Sequence, residues 1–265
     1  TYVTCVWPQK YIVILKNIER GFVFMNKKKL VKLGASLALV GVVGVGATLA
    51  YLQTGVQDLS NTFVLGDGYP TGDTIALVLD EKYNGTDEVP EVSPVDNSTD
   101  RTMKGNTYNV YPGSEAEKDP RVSLYNTSPD SYIFVGIKGV DAMGSHVDVN
   151  VNDSGDNYWN KVSEDGTIDG IYVYASGNDS ESTDNAKIVK TTGATSYQTL
   201  TPKLFDKVTI DSAITNAEVS DLKTLWQNNP IEIYAVAVQA DDITYSEALA
   251  QATTALNNAM NPATE

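Results

Sequence analysis

The residue types that most often carry out catalysis are scarce in this chain. Histidine and cysteine occur once each, as His146 and Cys5. A catalytic zinc site commonly uses about three protein ligands plus an open position for water, and no HExxH pattern is present. Serine catalysis would need the same histidine as its base, and no G-x-S-x-G pattern accompanies it. We therefore predict no catalytic residue, no cofactor and no metal site, and interpret His146 as an outward residue of a strand.

An acidic segment, "DVNVNDSGD" from Asp148 to Asp156, is the next candidate for binding. An EF-hand calcium loop has Gly at its sixth position and Glu at its twelfth, whereas this chain has Asp153 and Trp159 there. Residues 153–156 are better interpreted as a hairpin turn. Weak calcium binding by the acidic surface stays open as an alternative, without assigned ligands.

Aromatic side chains could form a sugar-binding surface, because carbohydrate rings stack on aromatic faces. The residues to test for such a platform are Tyr158, Trp159, Tyr172 and Tyr174. Aromatic residues are also common in protein cores and at subunit contacts. We expect these four to pack in the core or at such contacts, with a monomeric adhesin or carbohydrate-binding protein as an alternative.

The charge of the chain is divided unevenly between two parts. The first 50 residues hold seven of the 19 basic residues and one of the 34 acidic residues, so the remainder carries 12 and 33, a net charge of -21. A surface of that charge repels nucleic acid and anionic lipid, which argues against a nucleic-acid partner. Apolar residues make up 42% of the chain, enough for a packed core.

The segment from Met25 to Ala50 has the layout of a secretory signal peptide. A basic stretch from Lys27 to Lys32 precedes an apolar stretch, and small residues follow up to Ala50. We predict cleavage by signal peptidase between Ala50 and Tyr51, so that the chain meets the membrane only transiently. The alternative is an uncleaved anchor, because no charged residue occurs between Leu33 and Gln57. Residues 1–24 are interpreted as an upstream mistranslation or a disordered extension.

Short strand patterns separated by turn residues predict an all-β protein with an antiparallel architecture. "TIALVLDEKY" (74–83) and "IEIYAVAVQA" (231–240) are apolar on both faces, and the second is expected to be central. Residues 84–107 are expected to form a long exposed loop, and "RVSLYN" and "SYIFVGIKGV" a hairpin around "TSPDS". Further strands are predicted at "SHVDVNV", "GIYVYA" and "PKLFDKVTI", and helices at "NAEVSDLKTLWQ" and after the capping box of Thr244 and Glu247.

Several of these segments together resemble one family. "GATLAYLQTGVQDLSNTF" is similar to the SipW-dependent signal peptides of Gram-positive bacteria, with the short polar stretch that follows them. "YPGSEAEKDPRVSLYNTSPDSYIFVGI" is similar to Pro-Gly, Lys-Asp-Pro and Tyr-(Ile/Val)-Phe-Val elements, and "LFDKVTI" and "IEIYAVAVQADDITYSEALAQA" resemble the closing elements of the same group. The chain thus resembles the TasA/camelysin group from about Lys27 to Ala252, although its 66–107 linker is longer than expected.

The resemblance implies a jelly-roll-like β-sandwich over residues 66–265, secretion, and assembly into extracellular fibres of a biofilm matrix. In such fibres the N-terminal segment of one subunit, here residues 51–65, completes a sheet in the next (donor-strand complementation). The partners would be other copies of the chain or related matrix subunits, at the cell surface or in the matrix. A camelysin-like metalloprotease is the alternative that the resemblance also brings. The donor residues implied are Tyr51, Leu52, Val56, Leu59 and Phe63.

Overall fold

The secondary structure follows the alternation and the apolar runs of the sequence. The computed structural model describes residues 57–58, 69, 74–85, 91–95, 100–162, 166–177 and 184–262. These residues form mostly strands in antiparallel sheets with few helices, which confirms the predicted all-β class. The strands are β1 (Gln57–Asp58), β2 (Leu77–Lys82), β3 (Arg101–Thr102), β4 (Glu115–Glu117), β5 (Arg121–Tyr125), β6 (Ser131–Lys138), β7 (Val147–Val149), β8 (Asn157–Lys161), β9 (Gly170–Ser176), β10 (Ile188–Val189), β11 (Tyr197–Thr199), β12 (Lys207–Ile210) and β13 (Glu232–Gln239).

The largest sheet has the strand order β1-β13-β6-β9-β8, with β10 also paired to β6. Strands β13 and β6 form its centre and pair antiparallel over their whole length, from Glu232 opposite Lys138 to Gln239 opposite Ser131. All but the terminal residues of β13 and all but Lys138 of β6 are buried. Their sequences are rich in Val, Ile, Tyr and Ala, as is usual for strands covered on both faces.

Two smaller sheets cover one face of the large sheet. Their strand orders are β11-β5-β2-β3 and β4-β12-β7. Leu77 lies opposite Leu124 and Leu79 opposite Val122, and all four side chains are buried in one apolar cluster with Ile133 of β6. Because the same cluster includes residues of β7, β8, β12 and β13, the three sheets share a single main core.

A helix covers the other face of the large sheet. Helices α1 (Val219–Asn228) and α2 (Tyr245–Met260) are the two α-helices of the described residues, and a 3₁₀ helix spans Asp141–His146. Helix α2 begins with the predicted capping box: Thr244 Oγ1 accepts from the Glu247 N–H, and the Thr244 N–H donates to Glu247 Oε2. Its buried residues Ala248, Ala252, Leu256 and Met260 form a second apolar cluster with β6, β9 and β13.

One glycine makes the close approach of α2 to the sheet possible. Gly136 lies opposite Tyr234 in the β6–β13 pair. A Cβ atom at Gly136 would lie 3.0 Å from Met260 Sδ and 3.6 Å from Leu256 Cδ2. The absence of a side chain at this position therefore lets the last two turns of α2 lie against β6.

The two predicted hairpins are wrong. Strand β5 pairs with β2 and β11, whereas β6 pairs with β13, β9 and β10, so residues 126–130 connect two sheets instead of one pair of strands. Residues 153–156 likewise connect β7, which pairs with β12, to β8, which pairs with β9. In both cases the two strands that flank the turn bury apolar residues in different sheets, so each pairs with strands of its own sheet. Turn residues alone do not distinguish a hairpin from a connection between two sheets.

The long exposed loop predicted at 84–107 is also wrong in part. Strand β3 lies within it and pairs with β2, with Glu81 opposite Thr102. Arg101, Thr102 and Met103 are buried, and so is Ser93. In "PKLFDKVTI" only Lys207–Ile210 form a strand. By contrast, β2, β7, β9, β13 and both helices confirm the elements predicted for them.

None of the helices in the described ranges has the length and apolar character needed to cross a membrane. The signal-peptide prediction for residues 25–50 and the extension at 1–24 lie outside the described residues. The segment from Leu49 to Glu265 forms one compact unit. The described strands and helices all belong to this unit.

Truncation of Leu256 tests how much the α2 contact stabilises the fold. Leu256 is fully buried, so we expect Leu256→Ala to lower the free energy of unfolding by about 2–5 kcal/mol, through lost transfer energy and a cavity. Urea unfolding followed by circular dichroism measures the change. The matched control is Leu225→Ala on α1, where the side chain is exposed and we expect a loss below about 1 kcal/mol. Equal losses at both positions would contradict the assigned packing of α2.

Candidate assembly edge

The outer edge of β13 is where residues of the predicted donor segment pair. One side of β13 is fully paired with β6. On the other side, β1 pairs antiparallel, with Gln57 opposite Ala235 and Asp58 opposite Tyr234. The described part of β1 therefore aligns with two of the eight residues of β13. Gln57 and Asp58, which belong to the predicted donor segment, thus pair with this side of β13 within their own chain.

The sequence of β13 makes this edge unusual among sheet edges. Ile233, Ala235 and Ala237 point into the main core, while Tyr234 and Val236 point into the cluster under α2. Edge strands in soluble proteins usually carry charges or prolines that block pairing with other chains. The six buried residues at the centre of β13 are all uncharged and apolar, so the strand requires a covering partner along this side.

The sequence-predicted donor residues are only partly located. Tyr51, Leu52, Val56, Leu59 and Phe63, together with the predicted cleavage site at Ala50, lie outside the described residues. Gln57 and Asp58 lie between Val56 and Leu59 and are paired as β1. The geometry therefore places the middle of the predicted segment at a sheet edge, and the roles of the five named side chains stay predictions.

A buried charge network joins strands of the smaller sheet that contains β2. Asp80 of β2 is fully buried and accepts hydrogen bonds from Arg101 Nε at 2.8 Å and Arg121 Nε at 2.8 Å. It also accepts from Ser93 Oγ. The same guanidinium of Arg101 donates through Nη1 to Asp119 Oδ2 at 2.8 Å and through Nη2 to the Asp119 carbonyl at 2.9 Å. Arg101 thus joins β2 and β3 to the segment that leads into β5.

Two further buried groups extend the network. Glu81 accepts from Lys118 Nζ at 2.7 Å and from the Asn106 N–H and Nδ2 at 2.9 and 2.8 Å. Asp119 also accepts from Lys203 Nζ and from the Lys82 N–H, both at 2.7 Å. The network therefore pairs three carboxylates with four basic side chains, and its hydrogen bonds offset the cost of burying the charges.

The network changes the pKa of one carboxyl group clearly. Burial raises the pKa of Asp119, but hydrogen bonds from Arg101, Lys203 and the backbone of Lys82 outweigh burial, and the pKa lies below its usual range. Because the folded state favours the ionised carboxylate, Asp119 stabilises the fold above the unfolded-state pKa of about 4. That contribution is lost as the pH falls through the folded-state pKa.

Sequence reasoning missed this network because its central residue lies in a segment with loop composition. Arg101 follows the polar stretch 84–100, and strand β3 spans only two residues. The sequence contains one signal of the network. The apolar run of β2 continues directly into Asp80 and Glu81, and a buried strand can hold such carboxylates only where basic or hydrogen-bonding groups pair with them. The Lys118-Asp119-Pro120 sequence, part of the family resemblance, lies within the network.

The other sequence candidates lie elsewhere. Trp159, Tyr172 and Tyr174 are buried, so they do not form an exposed sugar platform and instead confirm the expected packing. Trp159 Nε1 donates to the Pro202 carbonyl at 3.0 Å. Tyr158 is half-buried, and its hydroxyl accepts from Asn185 Nδ2 at 3.0 Å.

His146 is not an outward strand residue, which corrects the prediction. It ends the 3₁₀ helix that precedes β7 and is half-buried. Its Nδ1 lies 3.8 Å from Asp211 Oδ2, beyond hydrogen-bond distance. Among the described residues, no group of three or more His, Cys, Asp or Glu side chains is arranged to hold a metal ion. Calcium binding at other positions stays a hypothesis.

The Asp119 pKa predicts a defined acid sensitivity. We expect the free energy of unfolding to fall as the pH drops from about 5 towards 3, and Asp119→Asn to reduce the size of that fall. Urea unfolding at about pH 6, about pH 4 and about pH 3 measures the free energy of unfolding of the wild type and of Asp119→Asn. Asp148→Asn, at an exposed position of β7, is the matched control and should keep the wild-type slope. A wild-type slope in Asp119→Asn would contradict the network.

Removal of the central cation tests the network at neutral pH. Arg101→Met leaves Asp80 and Asp119 buried with fewer donors, and we expect a loss of about 3–5 kcal/mol in the free energy of unfolding. Lys104→Met, at an exposed position three residues away, is the control and should change it by less than about 0.5 kcal/mol. A loss of similar size in both variants would show that Arg101 is not a structural cation.

Comparison with known proteins assigns neither a family nor a function to the chain. No family model, no curated protein sequence and no solved structure matches the chain. The TasA/camelysin resemblance therefore stays a hypothesis that rests on the residues quoted for it.

Proposed function

We propose that this chain is a secreted structural protein, a TasA-like subunit of extracellular matrix fibres that assemble by donor-strand complementation. The observation that carries the proposal is the pairing of Gln57 and Asp58 with β13. These two residues of the predicted donor segment lie beside a strand that is apolar on both faces. Release of that segment from its own β13 and insertion beside the β13 of a neighbour would link subunits without any new type of contact.

The register supports this role for the segment as a whole. Continued in the antiparallel register of Gln57 with Ala235, a longer strand would set Val56 opposite Val236 and Leu59 opposite Ile233. Directly opposed residues of antiparallel strands lie on the same face. Val56 would then face the α2 side of the sheet and Leu59 the main core. The two apolar residues would thus each meet an apolar partner.

The wider architecture fits the same proposal. A jelly-roll-like sandwich with its sheet edge completed by an exchangeable strand has a way to polymerise head to tail. Signal peptidase would control the process, because the donor stays tethered to the export signal until the bond between Ala50 and Tyr51 is cut. The strongly acidic mature chain, with a net charge of -21, would keep free subunits soluble until donor exchange joins them.

Cysteine cross-linking tests the exchange of the strand directly. The mature chain after Ala50 has no cysteine, so introduced thiols report single contacts. Opposed residues of antiparallel strands have Cα atoms about 4.5–5.5 Å apart, within reach of a disulfide. We expect a mixture of Gln57→Cys subunits and Ala235→Cys subunits to form disulfide-linked dimers under conditions of assembly. Non-reducing electrophoresis measures them.

Two controls make the cross-linking decisive. The Gln57→Cys and Ala235→Cys double variant should form an intrachain disulfide as a monomer and then fail to polymerise, with polymerisation restored by reductant. A mixture of Gln57→Cys and Gln239→Cys subunits, four residues out of register, should give few dimers. Intrachain disulfides in the double variant, together with no dimers in the first mixture under any assembly condition, would contradict exchange between subunits.

The alternative activities have their own readout. Casein cleavage that survives purification and is lost with a chelator would favour a camelysin-like protease. Such activity without fibres would contradict the structural proposal. Binding of glycans by a monomer that never polymerises would favour an adhesin and contradict it equally.

A further inference from the structure

A large, mostly apolar cavity lies beneath helix α1. Its volume is about 600 Å³, within the range of about 300–1,000 Å³ that small-molecule sites occupy. Strands β7 and β12 form its floor through Val147, Val208 and Ile210. Val110 and Ile214 line its sides. The size and the aliphatic part of the lining suit an apolar chain, and tyrosine, asparagine and threonine side chains line the rest of the cavity.

Helix α1 covers the cavity without filling it. Val219, Leu222 and Trp226 are spaced along one face of the helix and line the cavity, yet no residue of α1 is buried. An amphipathic helix normally packs its apolar stripe against a core. Here Val219 and Leu222 line the cavity and stay at least partly exposed. Trp226 also packs against the main core, and its Nε1 has no hydrogen-bond partner among the described residues. The helix therefore has apolar surface available for a ligand.

The charged residues around the cavity favour a ligand with a negative charge. The mature chain has 33 acidic and 12 basic residues, but the lining contains no carboxylate, and its charged residues are Lys118 and Lys223. Lys118 is already paired with Glu81 at 2.7 Å. Lys223 is exposed on α1 and has no ion-pair partner within the described ranges. One cation at the rim of an aliphatic cavity complements one anionic head group.

We propose that this cavity binds a free anionic amphiphile with a single saturated chain, of the fatty-acid class. The chain lies between α1 and the floor formed by β7 and β12, and the carboxylate pairs with Lys223. This proposal is independent of fibre formation, because the cavity and the β1–β13 edge involve different residues. The ligand is a monomer taken from solution, so its binding does not require a membrane.

Isothermal titration of the purified protein with dodecanoate, below its micelle concentration, tests the proposal. We expect saturable binding of one dodecanoate per chain. Dodecyltrimethylammonium, which carries the opposite charge, should bind about tenfold more weakly. Lys223→Glu should weaken dodecanoate binding about tenfold. Lys104→Glu makes the same change of charge at an exposed position outside the lining and should have little effect.

A second pair of variants tests the cavity itself. Leu222→Trp adds bulk on the face of α1 that lines the cavity and should abolish binding, whereas Leu225→Trp, on the same helix but outside the lining, should not. Melting temperatures confirm that both variants fold. Absence of dodecanoate binding, equal binding of the two amphiphiles, or equal effects of Lys223→Glu and Lys104→Glu would each overturn the proposal.

Discussion

The pairing demand along β13 is the constraint on which the arrangement depends. Its centre is buried on both faces, between the main core and α2. Backbone N–H and C=O groups in such surroundings must be hydrogen bonded, because an unpaired buried group costs as much as a lost hydrogen bond. Strand β6 meets half of that demand and β1 contributes to the other half. The two residues that pair at this edge belong to the N-terminal segment for which we propose exchange between chains.

The buried charge network complements this constraint from the opposite side of the core. Strand β2 carries Asp80 and Glu81 into full burial, where they fix β3 and the segment before β5 through directed hydrogen bonds. Apolar packing alone tolerates small changes of register, whereas charges that are paired in several directions do not. The network therefore favours one defined arrangement of these strands.

The sequence predicted the strands with the clearest patterns and failed where pairing depends on distant residues. The two-sided apolar run of β13, the alternation of Val147 and Val149, and the capping box at Thr244 each have a local physical cause, and the structure has all three. The turn at Pro129-Asp130 also has a local cause, but which sheet each strand joins is decided by the core. Arg101 could not be recognised because its partners are 18 and 21 residues away.

At the candidate edge too, the sequence indicated the segment but not the strand with which it pairs. The family resemblance implied residues 51–65 as a donor strand, and Gln57 and Asp58 of that segment pair with β13. The identity of the partner strand was not accessible, because β13 lies about 175 residues further along the chain and its exposed side is set by the order of the whole sheet.

Negative-stain electron microscopy of the same preparation before and after cleavage at Ala50 tests the central claim most directly. The account predicts no fibres before the cut, fibres after it, and none from a cleaved chain that lacks residues 51–60. Fibres of equal abundance from the uncleaved chain, or from the chain without residues 51–60, would contradict donor-strand assembly.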